Sequence, residues 1–226
     1  MDIVNTIKNR KMTRAFQSKP VNKEMVQKLL EAAIMAPSGS NAQPWKFYVV
    51  TGEKKKEVDA LMQTCAEEGV RFSLRQTDIE AKLGGRSAQH KNDYNIAYFK
   101  LFTENNLTFE ETAQFLLRHY DAPVAIFITL ERLRQNVFIG GADTGGAIEN
   151  ILLTACGMGL GACWITFPYM RTKSAAPKIK KYLNIPADEK IVSSIAIGYP
   201  DEQSPLNKFK SPRDEFGSFV KWFGFE

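Results

Sequence analysis

The stretch from Thr144 to Met158 reads as a helix that is apolar nearly all round, because Ile148, Ile151, Leu152, Leu153 and Ala155 leave it almost no polar face. Such a helix has to be covered on every side and belongs in the middle of a protein. Gly157, Gly159 and Gly161 end it, and Ala162–Thr166 follows as a strand. The most apolar run, Ile151–Phe167, contains those three glycines and is shorter than a membrane span. A chain built this way folds in layers around a central helix.

Other elements frame that helix. Ile3–Asn9 has the form of a short helix. Lys23–Met35 carries Met25, Val26, Leu29, Leu30, Ala33 and Ile34 at helical spacing, with Asn22 placed to cap it and Pro37 to stop it. Strands are expected at Lys46–Val50, Val124–Leu130 and Ile191–Ile197, and helices at Glu53–Glu68 and Ser174–Leu183. Between Gly69 and Phe115 charges and aromatics alternate irregularly, which predicts helices with a lid-like excursion over about residues 65–115. Few strands separated by helices give a layered α/β or α+β fold. No Gly-x-Gly-x-x-Gly follows a strand and opens a helix, so a Rossmann fold is excluded. Gly140, Gly141, Gly145 and Gly146 have the wrong spacing for a phosphate loop and read as close helix packing.

Charge narrows the function. The net charge is +5, with 30 basic residues among 25 acidic ones. The longest basic run, Lys54-Lys55-Lys56, reads as a solvated helix start, and no nucleic-acid motif accompanies it. A mildly basic chain suits an anionic, phosphate-bearing ligand. Cys65, Cys156 and Cys163 form no Cys-x-x-Cys, and His90 and His119 are the two histidines, so neither a zinc site nor a His-based triad is expected. The start Met1-Asp2-Ile3-Val4 lacks the form of a signal peptide, and a cytoplasmic protein is expected.

Three segments could carry chemistry. Arg10-Lys11-Met12-Thr13-Arg14 places three cations within five residues at a helix end. They complement the helix dipole, or they form an anion site with the planar donor fork of arginine. Ser38-Gly39-Ser40-Asn41-Ala42-Gln43-Pro44-Trp45 combines small residues, which allow a flat ligand near the backbone, with amide and hydroxyl groups for ring edges. Asn207-Lys208-Phe209-Lys210-Ser211-Pro212-Arg213 adds cations far along the chain.

Together these segments resemble the FMN-dependent nitroreductase family. The resemblance rests on R-K-M-T-R-A-F, A-P-S-G-S-N-A-Q-P-W, D-A-P-V before a strand, G-L-G-A-C-W-I and I-A-I-G-Y-P, in that order, and covers nearly the whole chain except residues 65–115. It implies one nitroreductase-like FMN-binding domain over residues 1–226. The implied fold is α+β in α/β/α layers, with a mixed, mostly antiparallel sheet and a homodimer that exchanges a terminal segment.

The resemblance also implies roles. Arg10 and Lys11 would hold the FMN phosphate and ribityl chain, with Met12 beside them. Arg14 would stabilise charge at the N1/O2 edge of the ring, and no side chain would act as acid or base. Pro37, Ser38, Gly39, Asn41 and Gln43 would contact FMN bound mainly by the other subunit. The backbone at Ile165, Thr166 and Phe167 would face the ring. Lys208, with Lys210 or Arg213, would close on the phosphate. The implied activity is ping-pong reduction of nitroaromatics, quinones or similar electron-poor small molecules by NADH or NADPH. Reductive dehalogenation and flavin breakdown are alternatives on the same fold, and a non-catalytic flavin-binding protein is a third reading. Neither a metal, a nucleic acid nor a membrane is implied.

Overall fold

The computed structural model describes residues 2–64, 86–131, 137–166 and 175–225. Four strands, β1 (Trp45–Thr51), β2 (Val124–Glu131), β3 (Gly161–Ile165) and β4 (Glu189–Gly198), form one sheet in the order β1-β2-β4-β3. Every neighbouring pair is antiparallel. The helices are α1 (Ile3–Asn9), α2 (Lys23–Ala33), α3 (Gly52–Gln63), α4 (Arg86–Thr103), α5 (Phe109–Leu117), α6 (Val137–Gly157) and α7 (Ala175–Tyr182).

Strand periodicity explains the layers. Along β2, Val124, Ile126 and Ile128 point to one face and Ala125 and Phe127 to the other, and all five are buried. A strand apolar on both sides needs a layer on each. The first face is covered by α2 through Val26, Leu29 and Ala33 and by α6 through Ile148, Ile151 and Leu152. The second is covered by Val58 and Met62 of α3 and Ile179 of α7. A third core gathers Tyr98 and Phe102 of α4 with Tyr120, Cys163, Ile165 and Ala196. This is the expected α/β/α layering, but the sheet is the middle layer and α6 lies in the layer on its first face, with Ile139 50% exposed and other positions half-buried rather than covered on every side.

Three local expectations change. Helix α6 starts at Val137 rather than Thr144. The Thr144 hydroxyl bonds back to the Gly140 carbonyl at 2.7 Å from inside the helix. At Gly140 a Cβ would lie 2.9 Å from Leu130 Cδ1, so the helix packs closely there and a side chain would have to displace the leucine tip, whereas Gly141 and Gly145 face open space. The close-packing reading therefore holds for Gly140 and not for those two. Within Lys54-Lys55-Lys56, Lys55 is buried and pairs with Asp59, so the run is not uniformly solvated. The part of the excursion at residues 65–85 lies outside the described residues, and the rest forms α4 and α5.

The turn after α5 has three consecutive left-handed residues, His119, Tyr120 and Asp121, with φ of 55°, 54° and 54°. Non-glycine residues adopt this conformation at a cost, so side chains must hold it. His119 is buried, with Nδ1 3.2 Å from Asp59 Oδ1 and Nε2 3.0 Å from Ser194 Oγ. The Asp-His-Ser order is that of a hydrolytic triad, but His119 and Ser194 are sealed from solvent, so the group is a brace between α3, the turn and β4. Tyr120 points toward the third core, where its hydroxyl meets that of Tyr98 at 2.9 Å.

Burial lowers the pKa of His119 against the opposing pull of Asp59. The folded protein therefore keeps the ring neutral where the unfolded chain, with a pKa of about 6.5, takes up a proton. The unfolded state then binds more protons, so stability falls as pH drops below that value. His119→Gln should be less stable at neutral pH and should show a shallower loss between pH 7 and 5 (roughly the histidine range), as read by urea unfolding across pH.

Candidate functional site

The site is built where the segment after α1 joins the sheet edge. Met12 forms a parallel bridge with Ala162, and the Thr13 N–H donates to the Ala162 carbonyl at 2.9 Å. Further on, Phe16 bridges Pro200 and the Gln17 N–H donates to the Tyr199 carbonyl at 2.9 Å. The segment thus lies along the outer edge of β3. Gly161 permits this approach, since a Cβ there would stand 2.5 Å from Thr13 Oγ1 and 2.8 Å from Thr13 Cβ.

Arg14 is 4% exposed. Its Nη1 donates to the Met12 carbonyl at 3.3 Å and its Nη2 to the Tyr94 hydroxyl at 3.0 Å. The guanidinium carbon lies 5.4 Å from the centre of the Tyr98 ring and 5.3 Å from that of Phe209. Nε is buried and has no partner among the described residues. Among the described residues no carboxylate pairs with Arg14. Burial opposes its charge, but the surrounding Cys163, Tyr120, Tyr94 and Tyr98 hold its pKa above the ordinary value. Burial likewise pushes the Cys163 thiol up to about 11 and raises the pKa values of Tyr98 and Tyr120, so at neutral pH none of the three supplies a counter-charge. The result is a permanently charged group, largely desolvated, with donors to spare.

The other cations are partly engaged. Arg10 Nε lies 3.2 Å from Glu149 Oε1 on α6, and Lys11 Nζ 3.8 Å from Glu202 Oε2. Met12 Sδ is 3.4 Å from the Trp164 backbone N. Lys208 and Lys210 are exposed, and no carboxylate among the described residues pairs with either. Arg213 is turned to its own neighbours, the Ser211 and Pro212 carbonyls and the Ser211 hydroxyl. The Ile165 side chain is buried in the third core, so only its backbone can face a ligand, and Thr166 is exposed. Phe167 lies outside the described residues. Beyond Ala162 the outer edge of β3 has no strand partner among the described residues.

The loop before β1 is elsewhere. Ser40, Asn41 and Gln43 have φ of 52°, 56° and 46°. The Gly39 N–H donates to Asp143 Oδ2 at 3.1 Å and the Gln43 N–H to Ser38 Oγ at 3.0 Å, which fixes the loop against the first turns of α6. Pro37, Asn41 and Gln43 are exposed. Ala162 shares a sheet row with Ile197, Val124 and Thr51, while Trp45 is six residues along and three strands across. At about 3.3 Å per residue and about 4.8 Å per strand, Trp45 is roughly 24 Å from Ala162. One chain therefore places the Arg10–Arg14 segment on the β3 edge and, through Asn207, starts the Lys208–Lys210 stretch beside Arg14, and it holds the loop's Gly39 separately on Asp143.

Sequence reasoning did not single out Asn207, Tyr94 or Glu149. Asn207 is 2% exposed and accepts from the Arg14 N–H at 2.7 Å. Nothing in its sequence context distinguishes it from a solvated tail. Tyr94 and Tyr98 had a signal, their four-residue spacing on one helix, within the irregular excursion.

The donor set fits FMN. A buried cation with an orphaned Nε and no carboxylate suits an electron-rich ring edge, and exposed unpaired lysines suit a phosphate. Among the described residues no group of three or more His, Cys, Asp or Glu could hold a metal, and no helix is long and apolar enough to cross a membrane.

Fold and site together define an α+β protein that presents fixed cations along an open sheet edge. A model of the nitroreductase family matches residues 7–199, and the chain belongs to that family. It is 29% identical to the nitrobenzene nitroreductase of Ectopseudomonas oleovorans over 96% of each chain. It is 25% identical to the 4-nitrobenzoate reductase of Pseudomonas putida, over 100% of this chain and 97% of that one. Its fold superposes with a TM-score of 0.79 on the FMN-dependent nitroreductase NfnB of Mycobacterium smegmatis in complex with NADPH, at 19% identity over 98% of this chain and 100% of that one.

The Gly161–Thr13 contact makes a test. Gly161→Ala should destabilise the fold by about 1–3 kcal/mol through overpacking. It should also loosen the Thr13–Ala162 hydrogen bond, seen as faster amide exchange at Thr13.

Proposed function

We propose that this protein is an FMN-dependent oxidoreductase that uses NADH or NADPH, in a ping-pong cycle, to reduce nitroaromatics, quinones or similar electron-poor small molecules. The observation that carries the reading is Arg14, a buried guanidinium that among the described residues has no partner for Nε and no carboxylate, beside a sheet edge that is open among those residues. A charge so placed is costly unless a complementary ligand completes it. The full-length similarity to nitroreductases of two bacteria supports the substrate class.

When bound, FMN supplies the hydride exchange between nicotinamide and acceptor. Arg14 provides a preorganised positive charge where negative charge develops on the ring, which favours oxidation of the nicotinamide. Arg10, Lys11, Lys208 and Lys210 hold the phosphate end. Because Lys210 is a point charge rather than a fork, it attracts the phosphate without fixing its orientation. The β3 edge backbone at Ile165 and Thr166 lines the ring. The aromatics of α4 bound the acceptor space and exclude water.

The loop Pro37–Gln43 serves a second copy of the chain. Its separation from Arg14 along the sheet supports that assignment. So does the exposed apolar surface, with Trp222 63%, Phe223 82% and Phe225 79% exposed in the tail and Ile3, Val4 and Ile7 on α1. The reading treats residues 1–226 as one FMN-binding domain completed by its partner in a homodimer.

The purified protein should show oxidised-flavin absorption that bleaches within seconds on anaerobic addition of NADPH or NADH, and nitrobenzene, a quinone or a halotyrosine should restore it to different extents. A colourless protein that takes up no added FMN would defeat the assignment. Arg14→Ala should keep the fold but lose roughly ten- to a hundredfold in FMN affinity, the worth of a charged hydrogen bond, or slow reduction by a similar factor. Unchanged flavin content and stopped-flow rates would remove Arg14 from its role.

A further inference from the structure

Asn207 stands where two parts of the site meet. Its Oδ1 accepts from the backbone N–H groups of Arg14 at 2.7 Å and Ala15 at 3.2 Å. Its Nδ2 donates to the carbonyls of Ala15 at 2.8 Å and Asp201 at 2.9 Å. A side-chain amide has two acceptor positions and two donor hydrogens, and here every one is used. The residue ends the short turn Pro205–Asn207, which Ser204 caps from its side chain. Lys208 and Lys210 follow at once, and Phe209 between them closes over the Arg14 guanidinium. One side chain thus fixes both the backbone of the buried cation and the point from which the exposed lysines depart. It lies beyond residues 7–199, the span matched by the family model.

We infer that Asn207 is a positioning residue that sets the spacing between Arg14 and the Lys208/Lys210 pair, and that this spacing makes the site prefer a flavin bearing a phosphate over the same ring without one. The inference rests on the FMN reading above. Lysine is a flexible point charge, so its contribution depends on where its backbone is held. With the amide removed, the tail keeps its charges but loses their fixed distance from Arg14. The ring end depends on Arg14 and the β3 edge, which Thr13 still anchors to Ala162. FMN should therefore suffer more than riboflavin, which shares the ring and ribityl chain but lacks the phosphate.

The test is titration of flavin-free protein with FMN and with riboflavin, followed by flavin fluorescence. Wild type should prefer FMN. Asn207→Ala should reduce that preference by roughly tenfold or more, the scale of one charged hydrogen bond, while riboflavin affinity changes little. In a Lys208→Gln/Lys210→Gln background the preference should already be lost, and adding Asn207→Ala should not lower it further, the non-additivity of groups acting as a unit. Equal losses for both flavins, an unchanged preference, or additive effects would overturn the inference while leaving the FMN reading intact. If Asn207→Ala does not fold, Asn207→Ser, which keeps an acceptor for the Arg14 N–H, is read by the same criteria. Wild-type protein that binds neither flavin would defeat the FMN reading, and this inference with it.

Discussion

A buried guanidinium with no carboxylate partner among the described residues is the constraint around which the site is organised. Arg14 cannot shed its proton, so the fold has to tolerate the charge. It does so with neutral groups: the Met12 carbonyl, the Tyr94 hydroxyl and the faces of Tyr98 and Phe209. Each satisfies part of the cation without cancelling it. A carboxylate in the same place would cancel the charge on which the proposed function rests. The aromatic cluster of α4 is therefore part of the site's electrostatics as well as its packing. The strained turn at His119–Asp121 holds that cluster, because Tyr120 reaches Tyr98 from it.

Sheet topology decides which residues can cooperate. Because β1 and β3 are opposite edges, the segments they carry diverge however close they stand in the sequence. Residues 10–14 cross to β3, while residues 36–44 feed β1 and settle on the start of α6. The tail returns to the β3 side by way of Asn207. Cations from the two ends of the chain thus share one edge.

Much of this layout was legible. The apolar helix, the flanking strands and the covering helices follow from periodicity, because burial on both sheet faces leaves few polar positions. The segment Arg10–Arg14 stood out because cations cluster there, and the loop at Ser38–Gln43 because small and amide residues do. What escaped were features decided by tertiary contact. The helix expected from Thr144 starts about two turns earlier, at Val137, where the chain packs closely on Leu130 at Gly140. Lys55 sits in a basic run and is buried, since Asp59 one turn on neutralises it. Asn207 reads as an ordinary polar tail residue, since its partners are 192 and 193 positions away.

That last separation bears on how the protein is made. A chain emerging from the ribosome can form α1 and α2 early, from local contacts. Arg14, however, waits for β3 to receive Thr13 and for Asn207 to bind its backbone. Until residue 207 and the ring of Phe209 have left the exit tunnel, the amide that fixes the Arg14 backbone and one of the aromatic faces over its guanidinium are missing. The surroundings of Arg14 are thus among the last parts of the molecule to mature, and a nascent chain stalled short of the tail would carry most of the fold with that corner incomplete.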